Sequence, residues 1–64
     1  MILKSYYGKK VTVVDVNGQV FTGKVDEYFF PEDNDNGKES IILKTTDNEF
    51  VEFTDDTIEK ITVN

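Results

Sequence analysis

Over most of this chain, apolar and polar residues alternate with a period of two. That is the spacing of side chains on a strand with one buried and one wet face. The cleanest run is Glu49 to Thr54: Glu49, Val51 and Phe53 fall on one face, Phe50 and Glu52 on the other. Lys9 to Val16 is rich in β-branched valines, with Val11 and Val13 opposite Lys10 and Thr12. Ser40 to Thr46 places Ile41 and Leu43 together, and Ile58 to Val63 places Ile61 and Val63 together. With the long segment Gln19 to Phe30, the pattern predicts five strands. At the amino end the period changes. Ile2, Leu3 and Tyr6 share a face at helical spacing, which predicts one short helical turn over residues 2 to 7, ended by Gly8.

The punctuation between these runs predicts how they connect. Asn17-Gly18 is a hairpin signal and predicts a type I′ turn, which needs positive φ at both central residues. Gln19 to Phe30 exceeds the usual strand of about 5–6 residues. A glycine inside a strand pattern marks a bulge or sharp bend, so Gly23 predicts one long strand folded over to serve two sides of a small barrel. Pro31 ends that strand and opens a polar loop to Glu39. Asp47-Asn48 makes the next tight turn, and Asp55-Asp56-Thr57 a short turn of 3₁₀ type. The predicted core is Val11, Val13, Phe21, Val25, Tyr28, Ile41, Leu43, Val51, Phe53, Ile58, Ile61 and Val63. Val14, Val16, Val20, Ile42 and Phe50 remain as apolar residues on the second face. The amino-terminal turn is expected to cover part of it, a subunit contact being the alternative.

Composition narrows the function classes. Sixty-four residues make one domain, 1–64. The chain has no cysteine and no histidine, which excludes disulfides, thiolate zinc sites and imidazole ligands. Thirteen acids against seven lysines and no arginine give a net charge of −6. Nucleic-acid binders draw much of their affinity from neutralised phosphates, so RNA is disfavoured by charge, and acidic membranes likewise. No stretch approaches the ~20 apolar residues of a membrane span, and residues 1–7 do not read as a signal peptide. The chain reads as soluble and cytoplasmic, with no cofactor.

Three groups of residues are candidates for chemistry. The loop Glu32 to Gly37 offers clustered oxygens, but an EF-hand numbered from Glu32 puts Leu43 where a glutamate is needed, so the loop reads as solvated. Asp55 and Asp56 with Glu52 are paired carboxylates. Acid–base work needs a cleft that raises one pKa, and a five-stranded barrel of this size has little room for one. No nucleophile–base combination exists, and the chain reads as non-enzymatic. The aromatics Tyr6, Tyr7, Tyr28, Phe29 and Phe30 lie in two short clusters, the second flanked by Asp26, Glu27, Glu32 and Asp33. Aromatic rings ringed by carboxylates suit a basic peptide better than a polyanion. Tyr7, Tyr28, Phe29, Phe30, Asp55 and Asp56 are therefore the candidate binding residues.

Gly8-Lys9-Lys10-Val11-Thr12-Val13, Asn17-Gly18 and Phe21-Thr22-Gly23-Lys24-Val25 together resemble the first motif of the Sm-like family. The later order of loop, strand, turn, strand, short turn and strand is similar too. The resemblance implies an all-β fold: a five-stranded, strongly bent antiparallel SH3-like barrel with a short N-terminal helical turn. It also implies rings of six or seven copies, built by pairing edge strands four and five and binding single-stranded RNA at the pore. This chain lacks the family's usual RNA-contacting residues: Phe29-Phe30-Pro31 stands at the Asp/Asn position and Asp55-Asp56 at the basic one. The leading expectation is a small interaction module for a protein or peptide of basic character, with a divergent RNA-binding ring as the alternative.

Overall fold

Side chains that alternate in the sequence alternate between core and solvent in the fold. Val11, Val13, Val25, Ile41 and Leu43 are fully buried, and Phe53 and Ile58 nearly so. The computed structural model describes residues 2–64. Five antiparallel strands form one sheet: β1 (Lys10–Asp15), β2 (Val20–Phe29), β3 (Ser40–Thr45), β4 (Phe50–Thr54) and β5 (Ile58–Val63), in the order β4-β3-β2-β1-β5. Short 3₁₀ turns cover Leu3–Tyr6, Pro31–Asp33 and Asp55–Thr57. β1 and β2 are each a residue shorter at either end than the apolar pattern extends.

The sheet is bent across its inner face. Phe21 on β2 and Phe53 on β4 make an edge-to-face ring contact at 5.2 Å, although β3 lies between their strands. Gly23 permits this curvature. It pairs with Val11 on one side and Thr45 on the other, and a Cβ on it would run into the Lys44 carbonyl group. Pairing continues without slip through Gly23. The bulge in β2 falls three residues later, where the register shifts between Val25 and Glu27 and leaves Asp26 unpaired. Gly23 is therefore a close-approach residue, and Asp26 marks the bulge. Among the described residues no backbone ladder joins β4 to β5.

The β1–β2 hairpin departs from the predicted type I′ turn. Gly18 takes φ +82° and Asn17 does not take positive φ. The Gly18 N–H donates to the Asp15 carbonyl and the Asp15 N–H to that of Gln19, each at 2.9 Å. This is a type I turn closed by a left-handed residue. The Asp15 side chain favours it, because its Oδ1 accepts from the Asn17 and Gln19 amides at 2.9 Å each. The β3–β4 turn repeats the design: Asn48 takes φ +64°, and the Thr45 hydroxyl accepts from the Glu49 amide at 3.1 Å.

Two packing expectations need correction. Leu3 is fully buried in the core, so the amino-terminal turn plugs the inner face and does not cover the outer one. Val16, Val20 and Phe50 stay exposed, Phe50 at 63%. Val63 is 49% exposed, because β5 is an edge strand whose cover thins from buried Ile58 through half-buried Ile61 to its end.

Candidate aromatic cleft

β2 carries Tyr28 two positions before Phe30, so both rings leave the same side of the chain. They meet edge to face at 5.1 Å. Pro31 ends the strand at once and starts a 3₁₀ turn, which fixes where Phe30 stands. The amino-terminal turn brings Tyr7 and Lys4 alongside. Lys4, Tyr7, Glu27, Tyr28 and Phe30 line one open cleft of about 300 Å³. The Lys4 ammonium sits 5.1 Å from the centre of the Phe30 ring, within cation–π range.

Glu39 holds the two walls together. Its Oε1 accepts from the Leu3 backbone N–H at 2.8 Å and from the Tyr28 hydroxyl at 3.0 Å. One carboxylate thereby ties the start of the amino-terminal turn to the end of β2. Partial burial, this hydrogen bond and the charges of Glu39, Glu32 and Asp55 all push the Tyr28 phenol above its usual pKa. Glu39 was not a candidate from the sequence. Its partners lie 36 and 11 residues away, so no local spacing announces it.

The structure divides the six candidate residues. Tyr7, Tyr28 and Phe30 converge on the cleft. Phe29 alternates to the other side of β2, is half-buried and pairs with Ser40. Asp55 and Asp56 lie in the turn between β4 and β5. Asp56 forms an ion pair with Lys38 at 2.7 Å and accepts from the Thr54 hydroxyl. The Lys38 hydrogen bond, then that from Thr54, holds the Asp56 carboxyl below its usual pKa, and the same pair raises Lys38. Asp56 thus clasps the long loop to the β4–β5 turn. Asp55 donates its N–H to the Glu39 carbonyl at 3.3 Å and acts on the cleft only through its charge on Tyr28. In the acidic loop, the Asn34 side-chain amide donates to the Lys38 carbonyl and the Ser40 hydroxyl, and Asn36 accepts from the Lys38 N–H.

Compared with protein-family models, curated proteins and solved structures, the chain matches none. No helix among the described residues is long and apolar enough to cross a membrane.

Proposed function

We propose that this chain is a small, non-catalytic, cytoplasmic interaction module that captures a basic segment of another protein in the cleft between Tyr7, Tyr28 and Phe30. The observation that carries this reading is the Lys4 ammonium over the Phe30 ring. An incoming lysine or arginine would make the same kind of contact on that aromatic face. Glu27 lines the same cleft, and Glu32 and Asp33 follow Phe30 in the adjoining turn, so the surroundings favour positive charge. The cleft is shallow, which suits an extended peptide better than an enclosed small molecule.

The test is fluorescence anisotropy with a labelled, lysine- and arginine-containing peptide. Tyr7→Ala should weaken binding about tenfold while leaving the thermal midpoint nearly unchanged, because Tyr7 is 58% exposed. Equal binding by Tyr7→Ala and the parent chain would remove the proposal.

One observation favours a second reading, a divergent member of the Sm-like small barrels. The strand order leaves β4 and β5 as the two edges, each free to pair with another copy. The bent β2 and the short turn between β4 and β5 support the same comparison. Light scattering distinguishes the readings: a ring gives six or seven copies, a lone module one or two. Salt-sensitive binding of oligo(U) or oligo(A) would add RNA to the ring reading.

A further inference from the structure

The outer face of the sheet carries a feature that the overall charge conceals. Lys10 is the register partner of Lys24, and Lys24 is the register partner of Lys44. Three exposed lysines therefore stand side by side on β1, β2 and β3, in a chain that has seven in all. Like charges directly opposite one another destabilise a sheet. None of the three is in an ion pair, the one among the described residues being Lys38–Asp56, and the Lys44 ammonium lies 5.9 Å from the centre of the Phe50 ring. The carboxylates of Glu27 and Glu52 flank Ile42 in the next outward row, about 7 Å along β3.

The row also borders a hollow. Lys10, Lys24 and Lys44 line an open cleft of about 270 Å³ with Thr22, Thr46 and Asn64. Gly23, which has no side chain, forms part of its floor. The Thr12 hydroxyl donates to Asn64 Oδ1 at 3.2 Å and accepts from the Thr22 hydroxyl at 3.3 Å, which holds both groups at the rim. With Asn64 Oδ1 engaged, its side-chain nitrogen is the group left to donate. Ammonium groups on neighbouring strands, with the Thr46 hydroxyl and the Asn64 side-chain nitrogen beside them, match an anion that carries several charges in a short length.

The distribution of acids decides the size of that anion. Ser40, at the far end of β3, is roughly 13 Å from Lys44 at the strand's rise per residue. Asp33, Asp35, Asp55 and Asp56 sit in the turns at that end. This exceeds the Debye length of ~10 Å at 0.1 M salt. Glu27 and Glu52 one row away, and Asp47 and Glu49, which line the neighbouring cleft with Thr22 and Thr46, confine an anion to the lysines themselves, and a long polyanion would also reach the far acidic end and be repelled. We propose that the Lys10–Lys24–Lys44 row binds a compact oligophosphate, either free or carried as the phosphate tail of a nucleotide.

The experiment is an amide NMR titration of the full chain at low ionic strength with tripolyphosphate, ATP and adenosine in turn. Tripolyphosphate should give saturable shifts centred on Lys10, Lys24, Lys44 and Thr22. Lys24→Gln should weaken binding about tenfold, Lys24→Arg should retain it, and Lys60→Gln should leave it unchanged. Equal affinity for ATP and tripolyphosphate assigns the phosphate chain alone. Tighter ATP binding with added shifts at Phe50, the partner of Lys44, assigns a nucleotide. Either result supports the site. Shifts spread evenly over all seven lysines, an unaffected Lys24→Gln variant, no saturable shift, or equal shifts from adenosine alone would overturn it.

Discussion

Gly23 and Lys44 approach so closely that a methyl group on Gly23 would overlap the Lys44 carbonyl and stand 2.8 Å from Thr45 Cα. The obstacle is backbone, which cannot rotate away. Gly23→Ala should therefore cost about 3 kcal/mol or more. A domain of this size has about 3–10 kcal/mol in total. Gly18→Ala meets open space and only the left-handed penalty, about 1–2 kcal/mol. Urea unfolding of both variants checks the order. A Gly23→Ala cost no larger than that of Gly18→Ala would contradict the close approach.

Asn48 is the left-handed residue of the β3–β4 turn and occupies the place that Gly18 fills in the first hairpin. Asn48→Gly removes the side-chain penalty but adds unfolded-state freedom, for a net gain of ~0.5 kcal/mol. The expected result is a slightly higher thermal midpoint. A lower one would mean that the asparagine side chain makes a contact the turn depends on.

The Glu39 clasp predicts a pH effect. The Tyr28 pKa in the folded chain lies above the usual tyrosine value of 10.0, with partial burial as the first cause and the bond to Glu39 next. The neutral phenol is the form that donates. Its contribution to stability is therefore fully present below pH 10 and is lost as pH rises through the folded value. Absorbance at 295 nm should show a late-ionising tyrosine that disappears in Tyr28→Phe and moves earlier in Glu39→Gln. An unaltered titration in both variants would exclude the clasp.

The Lys38–Asp56 pair acts at the other end of the pH scale. Asp56 ionises below its ordinary 3.8, because its carboxylate is bonded to Lys38 and Thr54. Its contribution is complete above that ordinary value and is lost as pH falls through the lowered one. Lys38 is raised above 10.5, so the alkaline limit of the pair lies beyond that value. Lys38→Met should lower the thermal midpoint slightly at pH 7 and not at all near pH 2. Both groups are exposed, so added salt should shrink the difference as well. A difference that persists at pH 2 would show that Lys38 acts through packing.

The readability of the chain followed the range of the interactions. The strands were legible because period two is local. Val11 with Val13 and Ile41 with Leu43 declare their shared face within three residues, and all four are fully buried. Gly23 was legible as a break, but its cause was not, since the obstructing Lys44 is brought there by β2–β3 pairing. The hairpin misled because Asp15 lies outside the two-residue signal and redirects the turn with its side chain. Tyr7, Tyr28 and Phe30 were legible as aromatics at two ends of the sequence. Their convergence depends on Glu39 and on the burial of Leu3, which are long-range events. The lysine row was hidden for the same reason: Lys10, Lys24 and Lys44 meet only once register is fixed.

The most direct test of the account follows the ring resonances of Tyr7, Tyr28 and Phe30 by carbon-edited NMR while a short arginine-containing peptide is added. The account predicts saturable shifts at all three rings, with Lys4 displaced from the Phe30 face and Phe50 unmoved. Saturation at Phe50 and the β4 edge with the three rings silent, or no saturation at all, would contradict it.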